Sequence, residues 1–140
     1  MFYLFLVILK LAMEFNKYQI GDMRRLGIVL DETKIDFDTT WTLWDKDLVI
    51  ACGGFKELFT KVWELWLHTR NFDITQHNIL RFIHKFKQEI KTLDWVRIQI
   101  TIGLGTKGDE LPLILGFVYE GMMHKWGPDH NNYSLYSMVR

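Results

Sequence analysis

Between Val96 and Gly103 the sequence VRIQITIG places Val96, Ile98, Ile100 and Ile102 in strict alternation with Arg97, Gln99 and Thr101. A period of two puts all four apolar side chains on one face and the polar ones on the other, which is the pattern of a half-buried β-strand. A lone strand cannot bury that face or satisfy its backbone, so the rest of the chain must supply neighbouring strands and a covering layer. Downstream, a turn-rich GTKGDELP leads into LGFVYEGMMHKWGPDHNNYSLYSMVR. This reads as a short connection and two further strands joined by a polar loop, with Gly127-Pro128 as the turn former beside Trp126.

Upstream, Phe15 to Ile20 alternates weakly and is expected to form the first strand. Asp22 is expected to cap a short helix, with Leu26, Val29 and Leu30 as its apolar stripe. Thr40 to Trp44 is β-branched and aromatic, Asp45-Lys46-Asp47 is a turn, and Leu48 to Cys52 is an apolar run expected to end at Gly53-Gly54. After the connection FKELFTK, Val62, Glu64, Trp66 and His68 alternate with Trp63, Leu65 and Leu67. Links this short favour an antiparallel meander. Asp73 to Ile90 is the one long helix: Ile79, Phe82, Ile83, Phe86 and Ile90 share a face, and Asp73 with Gln76 has capping-box spacing.

Strand, helix, three-strand meander, helix, strand, short helix and two strands is the order of the Gcn5-related N-acetyltransferase (GNAT) superfamily. The pairs Gly116-Phe117 and Glu120-Gly121 resemble the opening of that family's sixth strand, and the Tyr-rich ending resembles its last one. Small phage-encoded GNAT-like proteins, including an internal virion protein family of T7-like podophages, are similar in this ending. The expected fold is α+β, a mixed and mainly antiparallel GNAT-like sheet flanked by helices over residues 13–140.

The resemblance implies an acetyl-CoA-dependent N-acetyltransferase. Acetyl-CoA would lie along Leu67, His68, Thr69 and Arg70, and its pyrophosphate would meet the helix opening at Ile74, Thr75 and Gln76. Glu64 would be the general base, desolvated between Val62 and Trp66; otherwise it is exposed, or pairs with a Lys or Arg on an adjacent strand. The family's thiolate-protonating tyrosine maps near Pro112, which has no proton to give. Tyr119, Tyr133 and Tyr136 lie in the last strands, none at that family position; Tyr136 is taken as the candidate, although tyrosines alternating on a final strand are more often packing residues.

The alternative is a GNAT-fold protein without catalysis, acting as a virion component or binding a host protein. The stretch Thr69 to Gln76 contains no glycine to admit a pyrophosphate, and Asp73 would set a carboxylate beside it. Trp41, Trp44, Trp63 and Trp66 read as cross-strand packing partners, or as a docking or self-association patch if exposed together.

With 17 basic and 17 acidic residues the chain has no net field to recruit nucleic acid, so no nucleic-acid partner is expected. Cys52 is the single cysteine, which excludes an internal disulfide and points to a reducing, cytoplasmic setting, the host cytoplasm or a virion if phage-encoded. The histidines lack metal-ligand spacing; His124 and His130 flank Trp126 as solvated loop residues, and no metal is expected. Met1 to Ala12 is apolar but shorter than the roughly 20 residues of a membrane span. It is read as an extension that lies against the body or self-associates, with membrane contact as the other reading.

Overall fold

The computed structural model describes residues 13–29, 31–69, 76–103 and 110–140, with the backbone alone for 13 and 76–79. The apolar extension before Met13, Leu30, the Asp73 capping box and the turn at 104–109 lie outside the described residues. Seven strands hydrogen-bond in the order β1-β2-β3-β4-β5-β7-β6. They are β1 (Met13–Lys17), β2 (Thr40–Asp45), β3 (Leu48–Phe59), β4 (Val62–Thr69), β5 (Arg97–Gly103), β6 (Val118–Met123) and β7 (Tyr133–Val139). The helices are α1 (Asp22–Arg25), α2 (Gln76–Thr92) and α3 (Glu110–Ile114). This is the mixed, mainly antiparallel α+β sheet that the order of elements implies. Its contacts group into two compact units, Met1–Phe55 with Leu67–Asn71 and Lys56–Trp66 with Phe72–Arg140.

In the first unit β1 pairs antiparallel with β2, Met13 opposite Asp45 and Lys17 opposite Trp41, so the first strand begins and ends earlier than its alternation suggested. β2 pairs antiparallel with β3. The glycines at 53 and 54 do not end β3, because they sit opposite Trp41 and Thr40 and the strand runs on to Phe59. Gly54 serves close approach: a Cβ there would lie 2.2 Å from the Thr39 carbonyl oxygen and 2.7 Å from the Thr40 Cα.

Asp22 is not a helix cap. Gly21 holds that position with φ 93°, and Asp22 is the first residue of a one-turn helix. Its buried carboxylate accepts from the Gln19 N–H (3.0 Å) and the Thr42 hydroxyl (2.6 Å) and pairs with Arg25 (2.9 Å). Those partners draw it away from the helix's own amides. With so short a helix the expected stripe does not form: Leu26 and Met23 are buried, and Val29 is 92% exposed. Beside this set, the Tyr18 hydroxyl donates to Glu32 (2.6 Å), which also accepts from the Gly21 N–H (2.7 Å).

In the second unit α2, described from Gln76, runs to Thr92, two residues past the expected end, and buries Phe82, Ile83, Phe86 and Ile90. Two indoles satisfy carbonyls at and just after its end: Trp95 donates to Ile90 O (3.1 Å) and Trp63 to Asp94 O (3.0 Å). The Arg140 guanidinium stacks 4.1 Å from the Trp95 ring centre. Thus two of the six tryptophans act at a helix terminus as well as in the core. α3 contains Pro112, whose missing N–H falls in the first turn where no helical acceptor is lost. It closes with Gly116 at φ 91°, where Phe117 N–H reaches Pro112 O (2.9 Å) and Gly116 N–H reaches Leu113 O (3.0 Å), a glycine-terminated Schellman end.

Gly54→Ala tests the close-approach reading. The added methyl group has backbone on its far side rather than a flexible side chain, so the variant should lose about 2–4 kcal/mol of unfolding free energy, measured by urea denaturation.

Candidate functional site

The second unit carries the parallel ladder of the sheet. β4 and β5 register as Val62 with Arg97, Trp63 with Ile98, and Glu64 with Gln99. Each strand then continues, β4 to Thr69 and β5 to Gly103. β5 also pairs antiparallel with β7 over its whole length, Gln99 opposite Ser137 and Ile100 opposite Tyr136. Register partners share a face and successive residues alternate. One face therefore holds Trp63, Leu65, Ile98, Ile100 and Tyr136, all buried. The other holds Val62, Glu64, Arg97, Gln99 and Ser137.

On that second face Arg97 is the organising cation. Its terminal nitrogens grip the Glu120 carboxylate in a fork at 2.8 and 2.7 Å, and its Nε donates to the Gln99 carbonyl oxygen at 3.1 Å. The Ser137 hydroxyl donates to the same carboxylate. Glu120 arrives through a β-bulge: Tyr119 pairs with Tyr136 and Gly121 with Leu135, leaving Glu120 unopposed, and Gly121 adopts φ 151°. The Arg97 fork and the Ser137 hydroxyl hold the Glu120 carboxyl down at about 2, and the carboxylate in turn raises the Arg97 pKa.

Glu64 is half-buried on β4, between half-buried Val62 and Trp66. Among the described residues its carboxylate has neither a salt bridge nor a hydrogen bond. The alternative of pairing with a cation on an adjacent strand is thus not realised there, since Arg97 is committed to Glu120. Tyr136 is placed apart from it, on the opposite face, buried with its ring against Tyr119 at 5.5 Å. Leu67 and Thr69 are half-buried at the end of β4. His68 keeps an exposed edge, but surrounding protein mass disfavours its imidazolium and lowers its pKa. Arg70, Ile74 and Thr75 lie outside the described residues, as does the Gln76 side chain.

The Arg97–Glu120–Ser137 set is the part of this face that pattern reading missed. Alternation marks Arg97 and Gln99 as polar-face residues, and Glu120-Gly121 is visible as a pair, but nothing in the spacing says that a bulge carries Glu120 to Arg97. Among the described residues no cluster of three or more metal-ligating side chains occurs, and no helix is long and apolar enough to cross a membrane.

No protein-family model matches the sequence, and no curated protein does. Solved structures do. A GNAT-family acetyltransferase from Bacillus anthracis superposes with TM-score 0.66 at 12% identity, covering 91% of this chain and 95% of that one. Ribosomal-protein-S5-alanine acetyltransferase from Vibrio fischeri gives TM-score 0.61 at 15% identity, covering 71% of this chain. The microcin C7 self-immunity acetyltransferase MccE, solved with acetyl-CoA and AMP, gives 0.60 at 18% identity over 72% of this chain. In the last two the match spans 60% of the longer protein's chain. The fold is that of GNAT acetyltransferases.

The Glu120 shift has a definite sign. Its folded pKa, about 2, lies below the ordinary glutamate value of 4.5, so the stability it contributes is present above the unfolded pKa and is lost as pH falls from 4.5 towards 2. Melting temperatures of the native chain and Glu120→Gln should therefore differ at neutral pH and converge across that acid window. A gap that stays constant with pH would show that Glu120 contributes through packing alone.

Proposed function

We propose that this protein transfers the acetyl group of acetyl-CoA to an amine, with Glu64 as the general base. The observation that carries the reading is Glu64 itself: a half-buried carboxylate without a partner among the described residues, at the last registered pair of the β4–β5 ladder. The likeness in fold to an acetyltransferase solved with acetyl-CoA supports a place for the pantetheine arm along β4. Leu67, His68, Thr69 and Arg70 would line it, with Ile74, Thr75 and Gln76 at the helix opening receiving the pyrophosphate.

The chemistry is a direct displacement. The amine nitrogen attacks the thioester carbonyl carbon, the new C–N bond forms as the C–S bond breaks, and the nitrogen's proton passes to Glu64. The departing thiolate of coenzyme A takes its proton from water. Tyr136 faces away from Glu64, and we give it no step.

A second reading, a GNAT-fold module that docks a host or virion protein without catalysis, draws on Trp126. Its indole is 60% exposed in the loop between β6 and β7, where His124 and His130 are also exposed.

Isothermal titration with acetyl-CoA separates the two. Micromolar binding, about 8 kcal/mol, is expected, and Glu64→Gln should bind equally well while turning over an amine on the order of 100-fold more slowly at neutral pH. Absence of heat at millimolar acetyl-CoA would overturn the transferase reading in favour of the docking one, and full turnover by Glu64→Gln would remove Glu64 from the reaction.

A further inference from the structure

We propose that β6 is a dimer edge: two copies of this chain pair their β6 strands antiparallel, about a two-fold axis at the Glu120–Gly121 bond, and join two sheets into one. β6 stands last in the sheet order, so its outer backbone groups pair with no described strand. Val118, Tyr119 and Met122 are exposed along it, Val118 by 67%, and α3 just before it exposes Leu113 and Ile114. Its one charged residue, Glu120, is already taken by Arg97. The other edge of the sheet is guarded by polar and charged groups, since β1 exposes Glu14, Asn16 and Lys17. β6 carries no residue of the proposed transfer site.

The bulge identifies the occupant as a second copy. A bulge ordinarily blunts an edge, because an incoming regular strand has one residue too few to match it. A second β6 brings the same extra residue. Register partners share a face, so Val118, Gly121 and Met123 lie on the face of Arg97, while Tyr119 and Met122 lie on the face of Tyr136. Glu120 joins the Arg97 face through its bonds to Arg97 and Ser137. From Val118 to Met123 the faces therefore read the same in either direction, mirrored at the Glu120–Gly121 bond. Residues opposed in an antiparallel pair must share a face, and a two-fold at that bond satisfies this along the whole strand. In a regular strand of the same length, strict alternation would fail it at every pair.

That pairing sets Tyr119 opposite Met122 and Val118 opposite Met123, apolar contacts in which methionine adapts to its neighbour. Glu120 falls opposite Gly121, so no like charge meets its carboxylate. The space beside Gly121 is open, since a Cβ there would meet nothing within 4 Å. The Tyr119 ring already rests against Tyr136 at 5.5 Å, so little of its freedom is lost on docking. Pairing of β6 with β1 of another copy would instead set Glu14 and Lys17 against an apolar strand. Such a contact is head-to-tail and has no stop at two copies.

Sedimentation velocity of the full chain at up to about 100 μM, where specific interfaces of μM affinity are filled, should give twice the chain mass. Met122→Lys puts on the exposed edge the cation that guards natural edge strands. It should weaken the dimer on the order of 10-fold while the far-UV circular dichroism stays that of the native chain. If Met122→Lys fails to fold, Val118→Lys applies the same charge on the other face and decides in its place. Amide exchange should slow with rising concentration in Val118–Met123 and not in β1. A native chain that stays monomeric throughout overturns the proposal. So does a dimer whose affinity the folded lysine variant leaves unchanged, because it is held elsewhere on the chain, and so does a mass that grows beyond two copies, because the contact is then not a closed two-fold.

Discussion

The parallel pairing of β4 with β5 is the constraint on which the second unit is built. Antiparallel neighbours can be joined by a tight turn, but two parallel strands need a crossover long enough to carry the chain back along the sheet. The chain between Thr69 and Arg97 meets that need with α2, whose buried Phe82, Ile83, Phe86 and Ile90 give the unit much of its apolar core. The indoles of Trp63 and Trp95 then satisfy carbonyls around the end of α2, fixing where β5 can begin. Given that start, the register sets Glu64 beside Gln99.

Charge on the polar face is arranged by commitment. Arg97 is partly exposed, and a solvent-accessible pair of this kind contributes little to stability, about 0–1 kcal/mol. Its consequence is geometric. Because the guanidinium is taken by Glu120 and Ser137 completes the carboxylate, Arg97 makes no pair with Glu64, and its Nε holds the Gln99 carbonyl oxygen. A bulge in β6 makes this possible by releasing Glu120 from the ladder, and a glycine after it accepts the backbone angle the bulge demands. The first unit treats its own buried carboxylate differently. Asp22 is saturated by Gln19, Thr42 and Arg25, an arrangement that holds a one-turn helix in place and leaves no free acid for chemistry.

Local periodicity carried most of the fold. The alternation at Val96 to Ile102 and the three-and-four spacing along α2 are strong signals, because each maps directly onto a buried face. Glycine was where local reading failed. Gly53-Gly54 looked like a stop but lies mid-strand, and what requires glycine at 54 is the backbone of Thr39 and Thr40, distant in sequence from it. Asp22 looked like a cap, but a tertiary partner, Thr42, claimed its carboxylate. At the candidate site, Glu64 was legible from its place in an alternating strand. The Arg97–Glu120 fork was not, because it depends on a bulge and on pairing across 23 positions. The order of elements pointed to the GNAT arrangement, and the superposed structures share it at identities of 12–18%, where fold persists without a shared sequence.

Everything functional turns on whether the β4 backbone past Glu64 receives an acyl donor. Amide hydrogen exchange of the full chain, with and without acetyl-CoA, reads this directly at single segments. Slowed exchange confined to Leu65–Thr69 and the start of α2 is the predicted result, with the β5–β7 amides unchanged. Exchange that is identical with and without acetyl-CoA in that segment, or slowed only in β6 and the Trp126 loop, would contradict it.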